Sequence, residues 1–187
     1  MSKENMEILP TAIPDIVHLR PEAYPDPRGE FMENYREERY KELGIPVHFV
    51  QDNLVYSRNN VFRGMHFQLP PFAQAKLITM ISGKILDIVL DLRKNSETYL
   101  KTMILTLSSD NNDQLYIPEG FAHGYYVLSE ISRISYKVSQ VYAPDHQAGI
   151  RWDDEILGLK KYFSYPLLSA KDQKLRPLKE ILSVYKL

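Results

Sequence analysis

Cysteine is absent from this chain of 187 residues, which excludes disulfide bonds and thiolate catalysis and fits a reducing compartment. A basic block is also lacking, since 23 lysines and arginines stand against 24 aspartates and glutamates, for a net charge of -1. Nucleic-acid binding needs a concentrated cationic face, so we expect no nucleic-acid partner. The first 14 residues lack a long apolar core and carry Glu4 and Glu7. We therefore expect neither a signal peptide nor a membrane partner, and a cytoplasmic location.

The composition that remains is that of an ordinary globular protein. Hydrophobic residues make up 44% and charged residues 25% of a chain long enough for one domain with an ample core. Tyrosine is frequent, 13 against 7 phenylalanines, which suits wet pockets and subunit interfaces or, alternatively, a strand-rich fold. We expect a single domain over residues 1–187, with an N-terminal arm at 1–24 and a C-terminal helical segment at about 169–187.

Much of the chain consists of short apolar runs separated by turn residues. The runs at 75–81 and 84–92 are joined by Ser82-Gly83, which is typical of a tight hairpin. Residues 8–20 alternate loosely and contain two prolines, so we expect an edge or arm strand there. Short strands at this close spacing predict an all-β sandwich or barrel.

Two segments outside these runs predict short helices. Residues 35–43 are charged and lack β-branched side chains, and Gly44 follows them as a C-terminal cap. Ser169 and Asp172 have the Ser-x-x-acid spacing of a helix start, which predicts a helix from there to about Leu182.

The candidate catalytic stretch runs from Arg63 to Pro70 and is closed by Gln74-Ala75-Lys76-Leu77. His66 can titrate near neutral pH and act as a general base, and Lys76 can hold an oxygen on which charge develops. The two prolines between them interrupt any strand or helix. We expect His66 to end one strand and Lys76 to open the next, with both side chains over one pocket. The alternative is a structural histidine and a solvated lysine beside a loop.

Several other polar residues lie in apolar surroundings. The full set is Gln51, Asn53, Arg63, His66, Lys76, Asp87, His123 and Tyr136. Asp87 is unusual because it interrupts the run from Ile85 to Val89, and a carboxylate there is costly unless it is paired or functional. Taken singly, His123 is equally consistent with a turn histidine and Tyr136 with an ordinary strand tyrosine.

The chain resembles the dTDP-4-dehydrorhamnose 3,5-epimerase family of nucleotide-sugar epimerases through eight runs in the family's order. The runs are DPRGEFME at 26–33, FVQDN at 49–53, RGMHFQ at 63–68, QAKL at 74–77, LDIVLDLR at 86–93, IPEGFAHG at 117–124, GIRWDD at 149–154 and LSAKD at 168–172. Together they span roughly residues 24–180, which is nearly the whole chain.

This resemblance implies an all-β, cupin-type jelly-roll barrel with a few short peripheral helices. It also implies a homodimer in which the N-terminal arm is exchanged between subunits. A metal-binding cupin has a His-x-His motif with a following glutamate and a later histidine. Here the motif reads His66-Phe67-Gln68, so His66 and His123 are two ligands where three are usual. We therefore expect no metal and no other cofactor.

The resemblance further implies roles for individual residues. His66 matches the family's general base, Asp172 the carboxylate that pairs with it and Tyr136 the acid, while Lys76 suits the enolate oxygen. Positions that match substrate contacts are Arg28, Glu33, Gln51, Asn53, Arg63, His123 and Lys171. Gln147 stands at another such contact, where the family usually has glutamate. Leu54 and Val55 also replace a usual polar pair, which leaves the identity of the nucleotide or the sugar open.

The chemistry of inversion is consistent with these roles. Removing a sugar hydrogen as a proton is feasible next to a carbonyl, and a 4-keto group makes both C3 and C5 acidic. The resemblance therefore implies an isomerase that inverts C3 and/or C5 of a nucleotide-linked 4-keto-6-deoxy sugar, with dTDP-4-dehydro-6-deoxyglucose to dTDP-4-dehydrorhamnose as the default. One alternative is a C3-only or C5-only epimerase on a dTDP-, GDP- or CDP-linked keto sugar or heptose. Another is a cupin that binds a sugar nucleotide without turnover.

Overall fold

The structure, a computed structural model, describes residues 6–185 and is built mainly of short strands. Within these residues the strands, in chain order, are β1 (Met6–Leu9), β2 (Val17–Pro21), β3 (Ala23–Asp26), β4 (Gly29–Met32), β5 (Gln51–Arg58), β6 (Phe62–Gln68), β7 (Lys76–Ser82), β8 (Lys84–Asp91), β9 (Thr102–Ser108), β10 (Gln114–Ile117), β11 (Phe121–Val127), β12 (Ile131–Val138) and β13 (Gln147–Gly149). The predicted pattern of short strands is confirmed.

The described part of the chain has two α-helices, α1 (Glu37–Glu42) and α2 (Leu178–Tyr185), besides several single-turn 3-10 helices. α1 confirms the helix predicted before Gly44. The Gly44 N–H donates to the Lys41 carbonyl, and Gly44 has a φ of +87°, so it ends the helix in the left-handed region that glycine favours. Neither α-helix is long and apolar enough to cross a membrane.

The strands form two large antiparallel sheets. One sheet has the order β1-β2-β10-β7-β12-β5, and the other has the order β13-β6-β11-β8-β9. β3 and β4 pair separately as a two-stranded hairpin. The non-sequential neighbours mean that the chain crosses repeatedly between the sheets. This arrangement confirms the all-β architecture predicted from the sequence.

The main core lies between the two large sheets. Ile78 of β7 and Val89 of β8 belong to one apolar cluster that joins them. Leu86, also on β8, belongs to a second cluster on the outer face, which Leu178 of α2 helps to cover. Because side chains alternate along a strand, Asp87 shares the inner face with Val89 and points between the sheets.

A close approach of β6 and β11 fixes the position of two histidines. A Cβ on Gly64 would lie 2.5 Å from the Cα of Gly124, and Gly64 has a φ of +127°, so only glycine fits there. The ladder shifts register between His123 and Tyr125, and His123 lies directly opposite His66. The two imidazoles therefore come from adjacent strands of one sheet.

Two local predictions about strands are wrong. Ser82-Gly83 is not a hairpin turn, because β7 and β8 pair with other strands and belong to different sheets. At Gly83 the chain passes from one sheet to the other. Only glycine fits there, because a Cβ would overlap the Ile131 carbonyl oxygen. Residues 8–20 contribute to two paired strands, β1 and β2, rather than to one, because the prolines lie in the connection between them. Residues 1–5 of the predicted arm lie outside the described residues.

The helix predicted from Ser169 begins too early. The Ser169 hydroxyl accepts a hydrogen bond from the Asp172 N–H at 3.0 Å, but only one 3-10 turn follows, at Asp172–Lys174. Arg176 then forms a bridge with the residue after β13, which keeps the chain extended. α2 starts only after Pro177, a residue suited to the beginning of a helix. The α-helix therefore covers part of the predicted segment 169–187, of which residues 186–187 lie outside the described range.

Candidate active site

A cavity of about 450 Å³ opens between the two sheets. Its walls come from β5, β7 and β12 of the six-stranded sheet, from β6 and β11 of the five-stranded sheet, and from residues 169–172. The sequence-predicted residues that line it are His66, Lys76, Tyr136, Asp172, Gln51, Asn53, Arg63, His123, Gln147 and Lys171. The fold thus brings together all four candidate catalytic residues and most of the candidate substrate contacts.

His66 forms a close pair with Asp172. The imidazole Nε2 lies 2.7 Å from the carboxylate Oδ1. Burial, the largest single effect, would raise the pKa of Asp172, but the hydrogen bond and charge of His66, together with hydrogen bonds from Ser169 and the Gly64 backbone, outweigh it, so this pKa lies below its usual value of 3.8. A carboxylate at Nε2 favours the tautomer with the proton on that nitrogen, which leaves Nδ1 to accept another proton.

Lys76 reaches the same cavity from the opposite sheet. It opens β7, as predicted, whereas His66 lies two residues before the end of β6 rather than at its last position. The Lys76 Nζ is 3.4 Å from the His66 carbonyl oxygen. Burial lowers the pKa of Lys76 to about 8, and the negative charge of Asp87 partly opposes this shift. The lysine is therefore half-buried in the cavity wall rather than fully solvated.

A second histidine–carboxylate pair lies beside the first. His123 Nε2 is 2.9 Å from Asp87 Oδ2. Asp87 is fully buried, and its Oδ1 has no hydrogen-bond partner among residues 6–185. The carboxylate that the sequence marked as costly is thus paired through one of its two oxygens.

Tyr136 stands on β12, in the sheet that faces the one carrying His66. Burial raises the pKa of Tyr136, and the positive charge of Arg63 partly opposes this rise. The Arg63 Nε donates to the Ser57 hydroxyl at 3.0 Å, and the same hydroxyl is 3.1 Å from the phenol of Tyr125. A protonated phenol is therefore held near a fixed cation on the wall opposite the imidazole.

Gln147 and Lys171 meet Tyr142 at an exposed side of the cavity. The Lys171 ammonium donates to the Gln147 amide oxygen and to the Tyr142 hydroxyl, the latter at 3.2 Å. The Tyr142 hydroxyl donates to the same amide oxygen at 2.9 Å. An amide rather than a carboxylate faces the lysine, so this contact leaves the positive charge of Lys171 available to an anionic ligand.

Two predicted substrate contacts do not line this cavity. Arg28 is exposed at the turn between β3 and β4, where its Nε lies 3.1 Å from Asp26 Oδ2. Glu33 follows β4 and accepts a hydrogen bond from Arg39 at 2.7 Å. Neither residue contributes to the cavity of a single chain.

Five polar residues of the cavity lining were not predicted as site residues: Gln68, Gln74, Tyr125, Tyr142 and Ser169. Gln68 donates to the Phe72 carbonyl at 2.7 Å and accepts from the Ala143 N–H at 2.8 Å, so it ties two loops together. Tyr125 could have been found from alternation, since it lies two residues after His123 on one strand. Tyr142 lies in the loop that follows β12, which ends at Val138.

The arrangement suits proton transfer rather than metal chemistry of the cupin type. Within residues 6–185, no group of three or more histidine, cysteine, aspartate or glutamate side chains is placed to hold a metal ion. An imidazole that can accept a proton and a phenol that can donate one lie on facing walls, with a half-buried ammonium in the same cavity. Such a site can remove a proton from a carbon, stabilise the resulting oxyanion and return a proton from the other side.

Comparisons with known proteins agree with this geometry. The family model for dTDP-4-dehydrorhamnose 3,5-epimerase matches residues 10–180. The chain is 44% identical over 169 residues to the dTDP-4-dehydrorhamnose 3,5-epimerase of Salmonella typhimurium, which covers 89% of this chain and 92% of that protein. The Bacillus anthracis enzyme, solved with TDP and pyrophosphate bound, has a TM-score of 0.89 at 40% identity and covers 92% of this chain and 99% of its own.

A further solved structure comes from Legionella pneumophila, in complex with dTDP-4-keto-L-rhamnose. It has a TM-score of 0.90 at 36% identity and covers 96% of both chains. These matches confirm the cupin-type β fold that the sequence predicted, and they extend over almost the entire chain. The chain belongs to the dTDP-4-dehydrorhamnose 3,5-epimerase family.

Proposed function

We propose that this protein is an isomerase that inverts C3 and C5 of a dTDP-linked 4-keto-6-deoxy sugar. The reaction converts dTDP-4-dehydro-6-deoxyglucose to dTDP-4-dehydrorhamnose, a step of dTDP-rhamnose biosynthesis. The observation that carries this proposal is the cavity in which the His66–Asp172 pair and Tyr136 stand on facing walls. Family membership supports the substrate class.

His66 is the proposed general base. Its Nδ1 takes the proton from the carbon next to the C4 carbonyl, and the electron pair of the broken C–H bond moves into an enolate. Asp172 then faces an imidazolium through the 2.7 Å hydrogen bond, which stabilises the positive charge that develops on the ring.

Lys76 and His123 are the proposed partners of the enolate oxygen. Both line the cavity, and a half-buried ammonium stabilises a developing oxyanion more strongly than it would in water because the surrounding dielectric is lower. The pKa of Lys76, about 8, leaves most of this side chain protonated near neutral pH. Its positive charge is therefore available to the enolate there.

Tyr136 is the proposed acid. Its phenol gives a proton to the enolate carbon on the face opposite His66, so the carbon is inverted when the C–H bond re-forms. After this step Tyr136 is a phenolate and His66 is an imidazolium. Proton exchange with water returns both side chains to their starting states. Inversion at the second carbon uses the same groups after the sugar ring is repositioned.

The proposed substrate contacts divide by chemistry. Arg63 and Lys171 supply positive charge for the diphosphate, while Gln51, Asn53 and Gln147 supply amide groups that can hydrogen-bond the nucleotide or sugar. The exposed position of Lys171 puts its ammonium where a diphosphate would enter. Each of these assignments rests on cavity position and on the family resemblance together.

Arg28 and Glu33 are proposed to act across a homodimer, because they do not line the cavity of their own chain. The hairpin that precedes Glu33 exposes 70% of Phe31, an apolar side chain suited to burial against a second subunit.

Mixing Arg28→Ala and His66→Ala subunits tests whether Arg28 acts in the cavity of a second subunit. Hybrid dimers would contain one cavity with both groups intact, so activity should rise above that of either variant alone. Unchanged activity on mixing would rule out a shared site. The cytoplasmic location stays a prediction from the sequence.

The test of the reaction is solvent exchange in heavy water, followed by NMR. The parent enzyme should place deuterium at both C3 and C5 of dTDP-4-dehydro-6-deoxyglucose and yield the rhamno product. Exchange at one carbon would indicate a C3-only or C5-only epimerase. No exchange with any dTDP-, GDP- or CDP-linked keto sugar would indicate a binding protein.

Replacing the base provides the matched variant. His66→Ala should lower turnover by about a hundredfold or more while dTDP binding and the melting temperature stay near those of the parent. His48→Ala is the control, because His48 is exposed and pairs only with Glu37 at the surface. Near-normal exchange in His66→Ala would remove His66 from the role of base.

A further inference from the structure

Asp87 is a buried carboxylate that the proposed reaction does not use directly. It lies on the inner face of β8, is fully buried, and is flanked by apolar residues on its own strand. One oxygen, Oδ2, is 2.9 Å from His123 Nε2, while Oδ1 has no hydrogen-bond partner among the described residues. A buried carboxylate with one unpaired oxygen is costly, so its retention calls for a role.

The charge of Asp87 acts on Lys76. Burial lowers the pKa of Lys76 to about 8, and Asp87 is the charge that opposes this effect. The only hydrogen bond of the Lys76 ammonium to the described residues is a long one, 3.4 Å, to a backbone carbonyl oxygen. Asp87 forms an ion pair with His123, and no ion pair joins it to Lys76 within 4.0 Å in the described residues. The ammonium therefore keeps donors free for a ligand.

We propose that Asp87 is a positioning residue for the epimerisation: its hydrogen bond orients His123, and its buried negative charge helps to keep Lys76, in the same cavity as His123, protonated. This inference rests on the proposed function. It adds a reason why His123 keeps its orientation and Lys76 keeps its positive charge at the enolate oxygen. A direct ion pair would draw the ammonium away from the substrate, whereas a carboxylate beyond ion-pair distance favours the charged lysine without occupying its donors.

Lys76 shares its cavity with other titratable groups, so the effect of Asp87 must be separated from theirs. Besides Lys76, the titratable side chains that line the cavity are Arg63, His66, His123, Tyr125, Tyr136, Tyr142, Lys171 and Asp172, and Asp87 lies behind them as the partner of His123. Asp87 and Asp172 are the carboxylates among them, and Asp172 is held by His66. Neutralising Asp87 should therefore lower the pH at which Lys76 loses its proton.

The sign of the effect makes the test sharp. In Asp87→Asn, which keeps the side-chain shape, burial would act on Lys76 without the opposing charge. The pH at which kcat/KM falls on the alkaline side should then be lower in the variant than in the parent. For each pH unit of this difference, kcat/KM of the variant on the alkaline side should be about tenfold lower than that of the parent at the same pH. The affinity for dTDP should stay within about threefold of the parent, because Asp87 does not line the cavity.

Direct titration of Lys76 separates this proposal from the proposed function. The lysine signals are followed against pH by NMR with ¹³C-labelled lysine, and the signal of Lys76 is assigned by its loss in Lys76→Arg. A lower titration point of Lys76 in Asp87→Asn supports the coupling even if no keto sugar is turned over. If Asp87→Asn does not fold, the smaller neutral variant Asp87→Ser is titrated instead.

Asp113→Asn is the matched control. Asp113 is also buried and also pairs with a histidine, His18, at 3.0 Å, but it does not line the cavity or approach Lys76. It should lower the melting temperature without moving the pH profile. If Asp87→Asn likewise lowers only stability, and Lys76 titrates as in the parent, Asp87 is a structural residue and the proposal is wrong.

Discussion

Replacing Asp172 by asparagine tests the base assignment more finely than removing His66 does. The change deletes one negative charge and keeps the size of a side chain that is only 4% exposed. The amide oxygen can still accept the hydrogen bond from His66 Nε2, so the imidazole should stay in place. What is lost is the stabilisation of the imidazolium that forms when the sugar proton is removed.

The structure sets the size of the expected loss. The Asp172–His66 contact is a hydrogen bond of 2.7 Å between a carboxylate and a ring that becomes charged during the reaction. Hydrogen bonds to charged groups contribute about 1.5–3 kcal/mol, which corresponds to about a 10- to 150-fold lower rate of proton abstraction. Because the interaction strengthens only as charge develops, kcat should fall while KM stays near that of the parent.

The assay is initial-rate deuterium exchange at C3 and C5, measured for the parent, both single variants and the double variant. If the two residues act as a unit, adding Asp172→Asn to His66→Ala should cause little further loss. The control is Asp153→Asn, which removes a carboxylate from a surface pair with Arg151 outside the cavity. Rates within about threefold of the parent in Asp172→Asn, or fully additive losses in the double variant, would refute the pairing.

The same variant carries a prediction about pH and stability. The pKa of Asp172 is lower in the folded chain than its usual value of 3.8, so its contribution to stability is present above that pH and is lost as pH falls through the folded pKa. The difference in melting temperature between parent and Asp172→Asn should therefore be largest near neutral pH. It should shrink below pH 3.8, where the carboxylate becomes protonated. A difference that does not change with pH would show that packing, rather than charge, holds the pair together.

Three further outcomes are expected. Tyr136→Phe should keep exchange of the original proton better than inversion, because His66 still forms the enolate while the opposite proton donor is gone. Tyr126→Phe, outside the cavity, is its control, and equal losses of exchange and inversion would argue that Tyr136 only packs on the sugar. Gly64→Ala should destabilise the fold by about 1–3 kcal/mol or more in chemical denaturation, because its Cβ would meet Gly124 Cα at 2.5 Å. Elemental analysis should find no stoichiometric metal, and a chelator should leave activity unchanged; tightly held metal together with chelator-sensitive activity would overturn that expectation.

Local patterns predicted the strands well because each signal acts over a few residues. Gly44 ended α1 as expected, since a left-handed cap depends only on the residue itself. The error at Ser82-Gly83 has the opposite origin. A glycine turn shows where the chain reverses, but strand pairing is decided by residues far away, here the β10 and β12 partners of β7. The sequence therefore located the turn and misassigned the sheets.

The C-terminal segment illustrates a competition between local and distant interactions. Ser169 caps the Asp172 N–H as its spacing predicts, but the bridge at Arg176 extends the chain before a full helical turn can repeat. The outcome is useful to the site, because the single 3-10 turn presents the Asp172 carboxylate to His66. A helix continuing from Ser169 would have displaced that bridge.

The candidate site was predictable where side chains come from two strands joined by a short proline-containing loop, and less so where they depend on assembly. His66 and Lys76 are near neighbours in sequence, and the two prolines between them carry the chain from one sheet to the other. Arg28 and Glu33 matched by resemblance alone, and their own chain does not bring them to the cavity. A charged residue that matches a substrate contact yet lies outside its own cavity must act from a second chain or not at all. The subunit-mixing experiment therefore bears on the architecture of the site as well as on the oligomeric state, because recovery of activity requires one chain to complete the cavity of another.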